Sequence, residues 1–436
     1  MEKRENFSSS LGSLLVIAGS AVGLGNIWRF PYMVGTNGGA AFILLYLLFI
    51  FLICLPIMIS ELTIGRRTQS SSYGAFRTLA PGSKLFRHAG IIYTIIPTLI
   101  LSYYCVIGGI TVEFFVRSLG ISLPDGPLMS IVWMFIFLSL TGLIVMAGVR
   151  KGIERFSKVM MPLLFVIVIF IAIRSMTLPA RAGAASTASD GVSFLFRPDF
   201  SKVTVHTCLA ALGQAFFSLS LGSGSIMTYG SYINPKENLT KTAGQIAFVD
   251  LLFAVIAGCA VIPAVFALKD DPAMVLSDNT DSALVFNILP DVFPQMPFGA
   301  IIGAFFFFAL ILAAITSSIS QFEVPVAYLV DEHKMSRKVA GVIVFCFALL
   351  LGSLCALRGS VLGFLDGLCA NWLMPLGGVV AVIVVGWIMK KSDFHEELSS
   401  RGNHQVGERF SSVLRFLIRY VAPVGVIAVF VSQLFL

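Results

Sequence analysis

The chain has 436 residues, of which 57% are hydrophobic and 12% charged, with a mean hydropathy of +0.91. Soluble proteins carry about 25% charged residues, so a water-solvated globular fold is excluded. The formal net charge is +7, but 22 of the 30 Lys and Arg fall in alternate inter-segment stretches, seven in the others, and Arg29 within a span. That is the positive-inside asymmetry of a membrane protein, not a nucleic-acid footprint.

Apolar runs of about 20 residues mark membrane spans, and eleven are expected: 10–34, 40–65, 88–118, 129–148, 156–176, 204–231, 242–268, 297–330, 338–357, 361–389 and 411–434. The first is not a signal peptide, because no small-residue cleavage site follows a short apolar core and the run continues into Tyr32. Basic clusters put the N-terminus in the cytoplasm: Lys3/Arg4, Arg66 through Arg87, Arg150 through Lys158, Lys236/Lys241, Lys334 through Lys338, and Lys390 through Arg419. Eleven crossings of a cell (inner) membrane then place the C-terminus outside.

Two long polar connections, 177–205 and 269–297, lie outside, and the second is expected to hold short helices. The first divides the chain into a five-span repeat over 1–176, a connection over 177–203 and a second five-span repeat over 204–389, with an extra span at 411–434. Five is odd, so the two halves must be inverted relative to each other. "VGLGN" (22–26) in span 1 has its counterpart in "LGSGS" (221–225) of span 6, and "ICLPIMI" (53–59) in "AVIPAVF" (260–266). The expected fold is an all-α integral membrane protein of 11 transmembrane helices, 5+5 plus one, with helices 1 and 6 discontinuous. Gly-interrupted spans at matching places in inverted halves point to a midplane binding site.

Unwinding a helix in hydrocarbon exposes amides and carbonyls that cost several kcal/mol each unless satisfied. Carbonyls at the end of one half-helix suit a cation, and amides at the start of the other suit an anion. Two such breaks side by side could hold a zwitterion and a cation, which is chemistry for capture rather than bond making. The seven cysteines have no metal-ligand spacing and read as small apolar residues. The histidines are scattered, and neither H-E-x-x-H nor G-x-S-x-G is present, so no enzyme is expected. An intramembrane hydrolase using a "GSGS" serine lacks any in-span base. Asp250 and Arg29 are intramembrane charges, functional by default; Glu61 and Glu323 suit structural capping near the cytoplasmic ends, and Glu113 the outer interface.

"GSAVGLGNIWRFPYMVGTNGGAAF", "PIMISELTIGR", "FFSLSLGSGSIMTYGSY" and "AAITSSIS" resemble the neurotransmitter:sodium symporter family, in its prokaryotic amino-acid branch, across spans 1 to 10. The resemblance implies two Na+ sites. One takes the carbonyls of Ala21 and Ser218, the Asn26 amide oxygen, the Ser218 hydroxyl and Asp250. The other takes the carbonyls of Gly19, Val22 and Ala313 with the Thr316 and Ser317 hydroxyls. All are hard oxygens, as a hard cation prefers; alone, "TSS" would equally suit hydroxyls bonded back to their own helix.

It further implies a substrate site in which the Leu24 and Gly25 amides and the Tyr104 hydroxyl hold a carboxylate, while carbonyls of Ala21, Phe217, Ser218 and Ser220 take the ammonium. Gly23 stands where monoamine carriers have an aspartate, which favours an amino acid. Ile100, Phe217, Ser220, Ser223, Ser317 and Gln321 would line the side-chain pocket, with Ser223 leaving room and Gln321 able to bond a polar group. The resulting expectation is a medium to large neutral amino acid. Chloride-dependent relatives have asparagine at position 250, and a fixed carboxylate there replaces the anion at the counterparts Tyr46, Gln214, Ser218 and Ala254. No chloride requirement is therefore expected.

The outer gate implied is Arg29 with Asp366, near Gln214, over a lid of Tyr104 and Phe217. The inner gate is Arg4 with Asp331, supported by Tyr232. A sodium-coupled amino-acid symporter working by alternating access is the leading reading. A non-transporting amino-acid sensor on the same scaffold and a proton-coupled carrier are the alternatives. A monomer in the lipid bilayer is the working expectation.

Overall fold

A computed structural model describes residues 5–121, 124, 126–180, 186–277, 286, 289–295 and 298–435. Among the described residues there is no strand; the regular elements are all helices. Among the described residues, nine helices are long and apolar enough to cross a bilayer: Ala40–Thr68, Lys84–Ser118, Pro127–Met146, Val149–Met176, Leu239–Leu268, Gly299–His333, Arg337–Leu357, Gly359–Ile388 and Glu408–Val431. Ser10–Ala21 with Gly25–Thr36, bent by 52°, makes a tenth. These ten follow the expected spans 1–5 and 7–11. The expected sixth is in two short pieces, Val205–Ser218 and Ser225–Gly230.

Side-chain caps set many of the helix starts. Ser9, Ser83, Asn238 and Ser336 each accept an orphan amide of the first turn. The connection 177–205 holds an unforeseen helix, Ala188–Phe196, begun by a reciprocal capping box between Thr187 and Asp190. The described part of 269–297 contains the expected short helices Pro272–Ser277, Leu289–Val292 and Phe293–Gln295.

Helices Lys84–Ser118 and Gly299–His333 pack against each other along the bundle's middle, with Leu239–Leu268 against Val149–Met176. Gly299–His333 is buried from Phe306 almost continuously to Ala327. Arg337–Leu357 is peripheral, exposing Val342, Ile343, Phe347 and Leu350; in a soluble protein such a belt would be an aggregation surface, whereas lipid solvates it. The two interrupted helices lie in the protected middle, the one place where free backbone polar groups are tolerated.

Candidate functional site

The first helix stops at Ala21. Val22 turns extended (φ −72°, ψ 98°) while its amide still bonds Ala18 O, and the chain re-enters a wide π turn at Gly25–Arg29 before Pro31 sets the next α turn. The second break runs from Leu219 to Gly224, with Ser220, Gly222 and Gly224 at positive φ (53°, 73° and 85°). Glycine is required at 222, since a Cβ there would fall 1.8 Å from Met374 O. Ser220 has no such excuse. A non-glycine residue held left-handed in a buried turn stores strain, which marks a functional segment.

Between the breaks lies a cavity of about 40 Å³. Ala21, Gly23, Leu24 and Gly25 line it from the first break, Phe217, Ser218 and Ser220 from the second, and Ile100, Tyr104, Ser317 and Gln321 from neighbouring spans. Leu24 N–H donates to the Tyr104 hydroxyl at 3.4 Å. A Cβ on Gly23 would sit 2.2 Å from Ser317 Oγ, so any side chain at 23 would take up the cavity floor. Gln321 is 5% exposed, and its Oε1 is buried with no hydrogen-bond partner. Tyr103 and Met374 also line the cavity. Tyr103 neighbours Tyr104 in "SYYC", but nothing in the pattern around Met374 marks it. Ser223 is not among the lining residues; its hydroxyl donates to Ser220 O (2.8 Å) inside the turn.

Beside the cavity, Asp250 is fully buried, and its carboxylate is ringed by neutral donors. Asn26 Nδ2 donates at 2.8 Å, Ser218 Oγ at 2.9 Å and the Tyr46 hydroxyl at 3.1 Å. Asn26 Oδ1 instead accepts Gly23 N–H at 3.1 Å. Which end of an amide faces which neighbour is an assignment from the bonding network, and a cation between Asn26 and Asp250 would take the oxygen end. The donor set fits a hard monovalent ion: a buried negative charge, a hydroxyl and an amide, with no Lys or Arg bonded to the carboxylate.

Across the first break, Thr316 Oγ1 donates to Ala313 O at 2.9 Å and Leu312 O at 3.2 Å, and lies 3.4 Å from Val22 O. Back-bonding to its own helix and proximity to the first break therefore coexist. Ser317 Oγ is 3.4 Å from Ser20 O, and Gly19 packs on Thr316 and Met161.

Next to it, a second cavity of about 60 Å³ is lined by residues including Arg29, Asp366, Trp28, Tyr103, Tyr104 and Phe217. The Arg29 guanidinium stacks 4.7 Å over the Phe217 ring, and Gln214 Nε2 donates to Gly25 O at 3.1 Å. Leu24, Gly25, Tyr103, Tyr104 and Phe217 line both cavities and form the partition between them. At the other end, Arg4 lies outside the described residues. Asp331 accepts Ser71 N–H at 2.6 Å, and the Tyr232 hydroxyl bonds Glu323, which also pairs with Arg337. Glu61 accepts Gly222 N–H at 2.8 Å, capping the second break. Glu113 pairs with Arg117 one turn along.

A small cavity between two broken helices, inside an apolar helical bundle, defines a membrane-embedded carrier of a small solute. A model for the sodium:neurotransmitter symporter family matches residues 4–133 and 126–436. A sodium-dependent transporter of Bacillus subtilis is 34% identical, over 99% of this chain and 98% of its own length. One from Haemophilus influenzae is 33% identical, over 100% and 99%. The crystal structure of MhsT in complex with L-phenylalanine superposes with a TM-score of 0.86 at 39% identity, covering 99% of this chain and 100% of that one. The chain belongs to the sodium:neurotransmitter symporter family; it is a multi-pass, sodium-dependent membrane transporter and not an enzyme.

Proposed function

We propose that this protein is a sodium-coupled symporter importing a neutral, medium to large hydrophobic or aromatic amino acid by alternating access, without a chloride requirement. The observation that carries the reading is the cavity itself. One wall offers the Leu24 and Gly25 amides and the Tyr104 hydroxyl, and the other the backbone of the second break, while Ile100, Phe217 and Met374 supply apolar surface. Backbone amides match a carboxylate, carbonyls match an ammonium, and the apolar remainder matches a side chain. The related MhsT binds L-phenylalanine.

Sodium, as co-transported cargo, would be held by Asp250, Asn26, Ser218 and Ala21 at one position. At a second it would be held by Gly19, Val22, Ala313, Thr316 and Ser317. The fixed charge of Asp250 removes the need for an anion beside the first. Ten spans in two inverted halves, 1–176 and 204–389, an extra span at 411–434 and a cytoplasmic N-terminus in the inner membrane complete the proposal. Arg29 with Asp366, over Tyr104 and Phe217, would close the outside, and Arg4 with Asp331 and Tyr232 the inside.

The test is uptake of a labelled amino-acid panel into proteoliposomes, with and without an inward sodium gradient, and with gluconate replacing chloride. Sodium-driven uptake that persists in gluconate is the expected result. Uptake indifferent to sodium and driven by a proton gradient refutes the coupling. Binding without flux would make the protein a sensor.

A further inference from the structure

Among the described residues, two arginines near the start of the last span have no acidic partner. Glu408–Val431 is 24 residues long, about a turn more than the ~20 needed to cross the hydrocarbon core, so Arg415 lies near the membrane boundary and Arg419 a turn deeper. Side chains of a helix lean toward its N-terminus, which carries both guanidiniums back toward the end of the bundle where the basic residues cluster.

Arg415 uses one nitrogen to donate to Met389 O (2.6 Å) and Gly386 O (3.3 Å) at the end of the preceding span, while its other terminal nitrogen is buried without a partner. Arg419 stacks on the Trp387 ring (5.4 Å) and the Tyr420 ring (5.6 Å), and its Nε is likewise buried and unpartnered. Exposed Lys390 and Lys391 follow directly. A guanidinium at membrane depth is costly unless it meets an anion, and unmet buried donors add to that cost.

The surroundings identify what supplies the anion. Trp387, Ile388, Phe416 and Tyr420 are each more than a third exposed and flank the arginines on the outside of the bundle. Tryptophan and tyrosine are the side chains that settle at headgroup level, so the cationic pair sits in a lipid-facing, interfacial frame. We propose that the junction of the last two spans binds the headgroup phosphate of an anionic phospholipid through Arg415 and Arg419, with Trp387 and Tyr420 seating the top of its acyl chains. The lipid is thereby part of how spans 10 and 11 are held together.

The test is native mass spectrometry of the purified full chain, titrated with phosphatidylglycerol and phosphatidylcholine of the same acyl chains. The wild type should retain phosphatidylglycerol preferentially. At roughly fivefold per arginine near the surface, R415Q/R419Q should lose about thirtyfold of that preference. An unchanged preference in the double variant overturns the proposal. So does displacement of the lipid by 100 mM inorganic phosphate, which would mark a free-phosphate site. A dimer lost in the variant with lipid retention unaltered also overturns it, since the occupant would then be a second copy of the chain. If the double variant does not fold, quenching of wild-type tryptophan fluorescence by lipids brominated near the headgroup decides. Brominated phosphatidylglycerol should quench more than brominated phosphatidylcholine, with the difference abolished in W387F. Equal quenching overturns the proposal.

Discussion

Replacing Asp250 by Asn removes one buried charge while barely changing shape, and the structure assigns opposite signs to its two consequences. The carboxylate is fully buried and meets only neutral donors from Asn26, Ser218 and Tyr46. Without a cation, that burial opposes folding, because neutral hydrogen bonds offset only part of the lost hydration. Asp250→Asn is therefore expected to stabilise the protein in sodium-free buffer. With sodium the sign reverses. At about 4 Å and an effective dielectric of about 20, a unit charge attracts a monovalent cation by about 4 kcal/mol. Some of that is recovered by the amide oxygen of Asn, leaving a loss of about 3 kcal/mol, or roughly a hundredfold more sodium for half-maximal effect. Thermal unfolding in detergent, titrated with sodium chloride against choline chloride, reads both effects at once. Repeating the titration in gluconate should leave the wild type unchanged and weaken the variant further. A variant with the wild-type sodium midpoint would refute the assignment of Asp250 to the ion.

Asn26→Ala deletes the side chain bridging Gly23, Ser218 and Asp250, and should raise the sodium requirement for substrate binding at least tenfold. Thr316→Ala should raise it about tenfold, with Thr316→Ser near wild type, because only the hydroxyl is lost; identical sodium curves for all three would remove the second site from the proposal. Gln321→Leu removes a buried amide oxygen without a partner, so stability should rise by about 1 kcal/mol. In competition binding, leucine-like substrates should gain and donor-bearing ones such as tryptophan should lose; an unchanged ranking would place Gln321 outside recognition. Glu237 lies outside the spans, and burial raises its pKa above the ordinary carboxylate value despite the opposing Ser13 hydrogen bond. A raised acid pKa means the folded state holds the proton more tightly, so stability is full at acid pH and declines as pH rises through the raised value. Glu237→Gln should flatten that decline in melting curves from acid to neutral pH, and parallel curves would contradict it.

Both breaks were legible because glycine runs inside apolar segments are a backbone signal: the interruptions at 22–24 and 219–224 fall inside the quoted motifs. Cavity residues from spans 3 and 8 were reachable only through the family resemblance, since no spacing rule brings Ile100 and Gln321 to one point. Met374 was illegible for the same reason. It enters because Gly222 has no side chain and lets the second break rest on the Met374 backbone, a contact between segments about 150 residues apart. Ser223 also came from the resemblance; a hydroxyl in a tight turn finds a local carbonyl first, and here Ser220 O takes it. Helix Ala188–Phe196 was missed although Thr187-x-x-Asp190 is a capping signature, because the polar composition of the connection outweighed it.

The two ends of the cavity are closed by barriers of unequal thickness, and this bears on how the carrier would cycle. Toward Arg29 and Asp366, the Tyr103, Tyr104 and Phe217 side chains line both cavities together with Leu24 and Gly25, so the partition there is made largely of aromatic side chains. The opposite end is closed by the chain's own N-terminal segment. Phe7 N–H donates to Tyr232 O at 2.9 Å, its ring packs on Tyr229 and Tyr232, Ser8 N–H donates to Glu154 at 2.8 Å, and Ser13 Oγ donates to Glu237 at 2.7 Å. Opening there requires residues 5–21 to leave several partners together, and the same helix carries the Gly19, Ala21 and Val22 carbonyls proposed to hold both ions. Sodium bound across the first break to Thr316 and Asp250 would tie that helix to spans 7 and 8. The ion and the inner closure would then stabilise one another, and loss of the ion would loosen the end through which substrate must leave. Coupling in this reading is a property of one broken helix: its end at Ala21 would hold the ion, while the segment at its start, Phe7 to Ser13, would close the far side.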